Sequence, residues 1–288
     1  MKLKLTKKKW DGDPSANRNL FIGGSDIGAI MGVNPWKSAY TLWAEKSGRI
    51  EPEDISNKEA VWWGTNMEDL VAKRFAMKYE EATGEKIKLY KPMVSFSTKE
   101  YPYLVGHVDR LFRGKKIGLE CKTTSARNKT NYAEGEIPPM HYCQCQFYMV
   151  MTGYEEWYLA TKRDSEFYVT KIDRNDEFIE DMLNTAEQFW RMVQEGIEPD
   201  IDDSESTADT INQMYPESIQ AVMDLSDYRQ TVESRITVQR QIRSLESIKR
   251  QCDSVIKSAM GDCESAVCDE YKISWKVNKS GVRVFTVK

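Results

Sequence analysis

The chain has 288 residues, which suits one large domain or one domain with an appendage, and 40% of them are hydrophobic, enough to bury a sizeable core. No apolar run approaches the length of a membrane span, and no hydrophobic segment follows the lysine-rich start, which predicts a soluble, cytoplasmic protein. The net charge of −4 argues against a protein that coats nucleic acid by bulk electrostatics. The six cysteines include no C-x-x-C pair and are expected to be reduced thiols.

Two helices are predicted between residues 20 and 48. Ser25 and Asp26 stand at a cap position ahead of the first apolar run, and Ser38 stands ahead of the second. Glycines and a hydroxyl at a helix start form a small anion site, because free backbone N–H groups and the helix dipole point outward there. A loop with an ordinary N-cap explains the same residues equally well.

A longer helix is predicted from about Asn57 to Ala82, with Glu68 near the edge of its buried stripe. Strand and helix patterns then alternate. Strands are predicted near 86–96, 103–112, 116–124, 155–162 and 166–172, and helices near 139–151 and 175–195. Helices followed by a mixed sheet with an inserted helix indicate a layered α/β or α+β domain.

The most informative residues lie on two strands joined by a turn at residues 112–116. Glu120 and Lys122 are two residues apart on one strand and point to one face, whereas Cys121 points to the other. With Asp109 on the neighbouring strand, two carboxylates and one ammonium converge, which is what magnesium-dependent phosphodiester hydrolysis requires. An acid-x-lysine pattern alone is more often the solvated face of a sheet.

The C-terminal part is predicted to serve packing or self-association. Residues 199–209 carry five acids and no basic residue, which indicates a solvated linker. Residues 218–260 contain no proline or glycine, and their apolar residues recur three or four apart, as in one long or two stacked amphipathic helices. The end of the chain alternates around Lys279-Ser280-Gly281 like a β-hairpin.

The order of the polar residues resembles that of a known superfamily. A helix acid, Glu68, is followed by a strand acid, Asp109, an E-x-K strand and then Gln144 on the next helix. This order resembles the PD-(D/E)XK nucleases. Three segments are similar to those of the YqaJ-type viral recombinases, a group of lambda-exonuclease-like phage nucleases: Ile22 to Ile27, Trp63 to Glu68 and Gln144 to Gln146. The resemblance covers about residues 15–195 and implies a nuclease core over 1–200 and a C-terminal extension over 201–288.

The resemblance implies roles for the matched residues. Asp109 and Glu120 would be the main Mg²⁺ ligands, with Mn²⁺ as an alternative ion. The backbone carbonyl of Cys121 would be a further ligand, and Glu68 would help to hold a second ion. Lys122 would orient the attacking water or stabilise the charge that develops on the phosphate.

The same resemblance implies further contacts with the substrate. Gln144 would position the attacking water or the catalytic lysine. Arg18 and Ser25 would bind the 5′-phosphate of a DNA end through a charged fork and a hydroxyl. A local basic path for DNA is offered by the run from Lys2 to Lys9, by Arg18, Lys115, Lys116 and Lys122, and by Arg127 and Lys129.

The function implied is a 5′→3′ exonuclease on linear double-stranded DNA. It would leave 3′ single strands for a single-strand annealing recombinase, and it would act in a bacterial cell as a phage or prophage protein. The family analogy also implies a homo-oligomer, a ring of three subunits. Two alternatives remain open at this stage: an endonuclease of restriction or repair type, and a non-catalytic DNA-binding scaffold whose C-terminal helices recruit a partner.

Five other residues depart from the family pattern or have an ambiguous role. Val108 replaces the proline of the superfamily motif, and His141 stands where the lambda type has tyrosine. His107 is expected to be structural, with contact to a metal-bound water as the alternative. Of Trp62 and Trp63, one is expected in the core and the other at its rim, with stacking on unpaired bases as the alternative.

Overall fold

The computed structural model describes residues 3–9, 18–125 and 136–288. The chain forms two compact units, Met1–Ser218 and Ile219–Lys288. Within the described residues, no helix has both the length and the apolar character that a membrane crossing requires. Arg127 and Lys129 of the predicted basic path, and Lys2 at its start, lie outside the described residues.

The first unit contains nine strands and six α-helices among its described residues. The strands are β1 Leu5–Lys9, β2 Ile22–Gly23, β3 Leu89–Tyr90, β4 Val94–Thr98, β5 Leu104–Val105, β6 Arg110–Phe112, β7 Ile117–Thr124, β8 Glu156–Arg163 and β9 Glu166–Asp173. The helices are α1 Gly24–Ile30, α2 Ala39–Lys46, α3 Glu59–Thr83, α4 Pro139–Thr152, α5 Asp176–Glu195 and α6 Glu205–Met214. Of these, β1, β2 and α6 are additional to the predicted elements.

The central sheet is mixed and five-stranded, in the order β3-β6-β7-β8-β9. Only the β7–β8 pair is parallel, because α4 connects these strands as a crossover helix. The strands β1 and β4 form a separate antiparallel pair, and β2 and β5 form a short parallel pair. This architecture confirms the predicted α/β class with a mixed sheet between helices.

The two faces of the sheet pack against different helices. On one face, α3 packs Val71 and Phe75 against Leu119 and Ala160. On the other face, Trp157 and Leu159 of β8 join the larger core with α1, α4 and α5. Alternate residues of a strand point to opposite faces. Glu120 and Lys122 therefore face the α4 side, and Cys121 faces α3, as the spacing predicts.

The acidic stretch that the sequence suggested as a linker is helical in its second half, which corrects that interpretation. Ser204 caps α6, and Thr207 and Thr210 are buried against α2. The Thr207 hydroxyl donates to Ser38 Oγ at 2.8 Å, and the Thr41 and Thr210 hydroxyls are 2.7 Å apart. Acid content indicated solvation, but the small hydroxyl side chains between the acids permit close packing.

The second unit consists of one long helix and a small sheet. The helix α7 spans Arg229–Met260, so the prediction of amphipathic helix over 218–260 holds beyond residue 228. The strands β10 Ser265–Cys268, β11 Tyr271–Val277 and β12 Arg283–Val287 form an antiparallel sheet in chain order. The predicted terminal hairpin is β11 and β12, and β10 is an additional strand.

Candidate active site

The β6–β7 hairpin positions the central acid. Gly114 has a φ of 80° in the turn between the two strands, a conformation that glycine adopts without strain. Asp109 directly precedes β6, and its Oδ2 accepts a hydrogen bond of 2.8 Å from the backbone N–H of Cys121. This bond fixes Asp109 beside the middle of β7, where the E-x-K residues lie.

Glu120 and Lys122 form an ion pair on the α4 side of the sheet. The Lys122 Nζ lies 2.5 Å from Glu120 Oε1. Glu120 is 1% exposed, while the Lys122 side chain is 24% exposed, so the ammonium group is the member nearer to solvent. Glu120 Oε2 is buried and has no hydrogen-bond partner among the described residues.

The buried charges perturb one another. Burial raises the pKa of Asp109 well above its usual value, and the nearby Glu120 carboxylate raises it further, whereas Lys122 opposes both effects. Burial lowers the pKa of Lys122, but Glu120 and Asp109 outweigh it and the net pKa is raised. Two acids held together with one compensating lysine leave an excess of negative charge at this point.

These residues suit a hard divalent cation. Carboxylate oxygens are the ligands that Mg²⁺ prefers, and a buried carboxylate oxygen without a partner is costly unless a cation or water satisfies it. Glu120 Oε2 is such an atom, and Glu120 is close enough to Asp109 to raise the pKa of that residue. Within the described parts of the chain, however, no three His, Cys, Asp or Glu side chains are grouped to hold one ion.

Glu68 is the predicted ligand that the structure does not bring into that group. It lies on α3, on the opposite side of the sheet, and its Oε1 accepts hydrogen bonds from Arg110 and, at 3.0 Å, from Lys91. Arg110 also pairs with Asp69. Glu68 is nevertheless near enough to Asp109 to raise that residue's pKa.

Gln144 is buried on α4, the helix that packs on the side of the sheet to which Glu120 and Lys122 point. Its Nε2 donates a 3.0 Å hydrogen bond to the Tyr148 hydroxyl one turn later. His141, one turn earlier, is hydrogen-bonded to Gln144. Burial lowers the pKa of His141 well below its usual value, and the charge of Lys122 lowers it further. Burial therefore favours the neutral form of this imidazole, which lies close to Lys122.

Arg18 and Ser25, the predicted phosphate-binding residues, are in direct contact. Arg18 Nη2 donates to Ser25 Oγ at 2.7 Å and lies 3.6 Å from Asp26 Oδ1. Lys46 of α2 contacts both segments: its Nζ donates to Asp26 Oδ2 at 2.8 Å and to the backbone carbonyl oxygen of Arg18 at 2.7 Å. The helix α1 begins after Gly23, so Ser25 is in the first turn and is not the cap.

Comparison with known proteins gives a consistent assignment. A model of the YqaJ-like viral recombinase domain matches residues 15–155. The protein YqaJ of Bacillus subtilis (strain 168) is 32% identical over 265 residues, which is 90% of this chain and 81% of that protein. The chain belongs to the YqaJ-like viral recombinase family.

Solved structures share parts of the fold at low identity. The alkaline exonuclease LHK-Exo of Laribacter hongkongensis is 17% identical, with a TM-score of 0.48 over 63% of this chain and 92% of that one. A phage-related exonuclease of Haemophilus somnus 129PT is 11% identical, with a TM-score of 0.39 over 62% of this chain and 95% of that one.

Three residues of this YqaJ-like site are absent from the sequence-based prediction. Lys46 and Arg110 are buried basic residues that pair with acids, and Tyr148 contacts Gln144. Spacing signals two of them weakly: Arg110 directly follows Asp109, and Tyr148 is one helical turn after Gln144. Nothing in the sequence pattern indicates that Lys46 contacts Asp26, because the two residues are twenty positions apart and lie on different helices.

The expectations for the two tryptophans and for His107 are also settled by the structure. Trp62 and Trp63 are each 52% exposed, so neither is a core residue. Their rings meet edge to face on α3, and Trp63 borders a cavity of about 310 Å³ that Thr123, at the end of β7, also lines. His107 lies 2.7 Å from Ser95 Oγ and packs its edge against Phe21. This agrees with its structural interpretation.

Proposed function

We propose that this protein is a divalent-metal-dependent 5′→3′ exonuclease that degrades linear double-stranded DNA. The observation that carries the proposal is the buried Asp109–Glu120–Lys122 group, with a carboxylate oxygen that lacks a partner. Membership of the YqaJ-like family supports it. A hydrolytic site of this charge has no role in a passive scaffold, where an unsatisfied buried carboxylate would only reduce stability.

Each residue of the site has a chemical role in this proposal. Asp109, Glu120 and the Cys121 carbonyl would hold Mg²⁺ or Mn²⁺, and Glu68 would contribute to a second ion after release from Arg110 and Lys91. The cation supplies Lewis-acid polarisation of the phosphodiester and a more acidic bound water. Lys122, which is paired with Glu120 and has a partly exposed side chain, would present its ammonium group to the phosphate. Gln144 orients the water or Lys122.

Arg18 and Ser25 would bind the 5′-phosphate and so restrict the enzyme to ends. Lys46 supports the proposal, because it also pairs with Asp26 and would keep that carboxylate compensated if Arg18 turned from it to a phosphate. Phosphate contacts fix the register of a nucleic acid without reading its sequence, which suits an enzyme that removes nucleotides one after another. The 3′ single strands left behind would then be substrates for a single-strand annealing recombinase.

Cleavage of linear and closed circular duplexes tests the proposal. With Mg²⁺, the wild type should degrade the linear form and leave the circle intact. Lys122→Ala should lose this activity. Lys171→Ala, a change at an exposed residue of β9, should retain it. Cleavage of the circle would indicate an endonuclease, and no cleavage of either substrate would favour a DNA-binding scaffold.

Paired substrates test the end pocket. A duplex with 5′-phosphate ends should be degraded faster than one with 5′-hydroxyl ends, and Arg18→Ala should remove the difference. Arg191→Ala, an exposed arginine on α5, is the matched control. Equal rates on the two substrates for the wild type would exclude the phosphate role of Arg18 and Ser25.

We further infer, from the family resemblance, a ring of three subunits that encloses the DNA. A ring would keep the enzyme on one duplex through many cycles. Light scattering after size exclusion measures the mass directly: a trimer supports the ring, and a monomer at assay concentration contradicts it.

A further inference from the structure

We propose that Tyr148 is a positioning residue of the catalytic site, whose hydroxyl sets the orientation of the Gln144 side-chain amide and whose ring connects that amide to the first turn of α1. The inference rests on the proposed nuclease function. It adds a residue that couples the end-binding region to the hydrolytic group.

The Gln144 side-chain amide is held by two partners on its own helix. Nε2 donates to the Tyr148 hydroxyl, and the side chain is also hydrogen-bonded to His141. His141 in turn is close enough to Lys122 to feel its charge. Without the Tyr148 hydroxyl, the amide would keep only its bond with His141 and would be less firmly oriented.

The Tyr148 ring is itself held by a close backbone contact. A Cβ atom at Gly24 would lie 2.6 to 2.8 Å from Cε1, Cζ and the hydroxyl of Tyr148. Real Cβ atoms do not approach so closely, so glycine at this position is what allows the ring to lie against α1. Gly24 directly precedes Ser25, the partner of Arg18. One buried side chain therefore contacts both the end-binding region and Gln144.

The charge around the hydroxyl suits a fixed hydrogen-bonding group. Tyr148 is 5% exposed, and burial raises its pKa well above the usual value, with Glu120 and Asp109 raising it further. The phenol therefore stays protonated throughout the working pH range. It positions its neighbour and takes no part as a base or nucleophile.

Tyr148→Phe removes only the hydroxyl and is the direct test. The expected result is a fall of about fivefold in kcat, the size of one neutral hydrogen bond, with KM changed less than twofold. Tyr142→Phe, the same change on the same helix outside this network, should leave kcat unchanged. In a Gln144→Ala background, Tyr148→Phe should cause no further loss, because the hydroxyl then has no amide to orient.

A second variant keeps the test decisive if Tyr148→Phe folds poorly. Gly24→Ala should displace the ring and lower kcat severalfold when Gln144 is present, but not in the Gln144→Ala background. Additive losses, or a lower melting temperature with unchanged kcat, would overturn the inference and indicate a purely structural tyrosine. A wild type that does not cleave linear DNA would instead refute the proposed function.

Discussion

The two units of the chain, Met1–Ser218 and Ile219–Lys288, differ in the number of side chains that they bury and in net charge. The first unit has two hydrophobic clusters, one on each face of its central sheet. In Ile219–Lys288, all of which the structure describes, Met260 is the one buried residue. The second unit has 12 basic and 9 acidic residues, a net charge of +3, against −7 for the first 218 residues.

This difference fits the location of the candidate site in the first unit. Asp109 and Glu120 are costly charges that only a cooperative, well-packed frame can hold close together. The second unit has no such frame, and apolar side chains of α7 such as Leu245 are 64% exposed. Sensitivity to substitution should therefore be concentrated in the first unit.

The largest expected effect is on catalysis. Asp109→Asn should reduce the rate of cleavage of linear duplex by about a thousandfold or more, equivalent to about 4 kcal/mol, because it removes a ligand charge at the reacting group. Asp181→Asn, exposed on α5, is the control. A loss of less than tenfold for Asp109→Asn would place the chemistry elsewhere.

A matched pair of leucines compares the two units in stability. Leu183 of α5 is 1% exposed and Leu245 of α7 is 64% exposed. Leu183→Ala should lower the free energy of unfolding by about 2 to 5 kcal/mol through lost burial and a residual cavity, whereas Leu245→Ala should change it by less than about 0.5 kcal/mol. Urea denaturation measures both. Equal effects would show that α7 is as well packed in solution as α5.

Metal addition should stabilise the first unit. At a hundredfold excess over Kd, Mg²⁺ should raise the free energy of unfolding of the wild type by about 2.7 kcal/mol, and it should have little effect on Asp109→Asn.

In metal-free protein, the raised pKa of Asp109 means that the folded state binds more protons than the unfolded state. Stability should then fall as pH rises from the unfolded-state pKa of Asp109 through its raised folded-state pKa. Calorimetry in chelator measures this dependence, and a stability that rises over the same range would contradict it.

The smallest expected effect is that of removing the second unit. The residues of the candidate site all lie between 18 and 148, within Met1–Ser218. Ending the chain after Ser218 should leave the single-turnover rate on a short duplex within about twofold of the wild-type rate, because the first unit contains every residue of the candidate site. A large loss would mean that the second unit contributes directly to the site.

Local patterns predict the elements and the E-x-K face, because strand alternation and helix periodicity are properties of neighbouring residues. They place Glu120 and Lys122 together correctly. They do not show that Arg110 and Lys91 pair with Glu68, or that Lys46 supports Asp26, because these contacts join distant parts of the chain. The exposure of Trp62 and Trp63 is missed for a related reason: their apolar character suggests burial, but the packing partners of α3 come from distant parts of the chain.

The most direct test of the account is the metal dependence of nucleotide release by wild type and Glu120→Gln, with Glu156→Gln on β8 as a control. Release of nucleotides from a linear duplex should require Mg²⁺ or Mn²⁺ in the wild type and in Glu156→Gln, and should be lost in Glu120→Gln. Wild-type release in chelator, or undiminished release by Glu120→Gln, would contradict the assignment of this buried carboxylate group as the nuclease site.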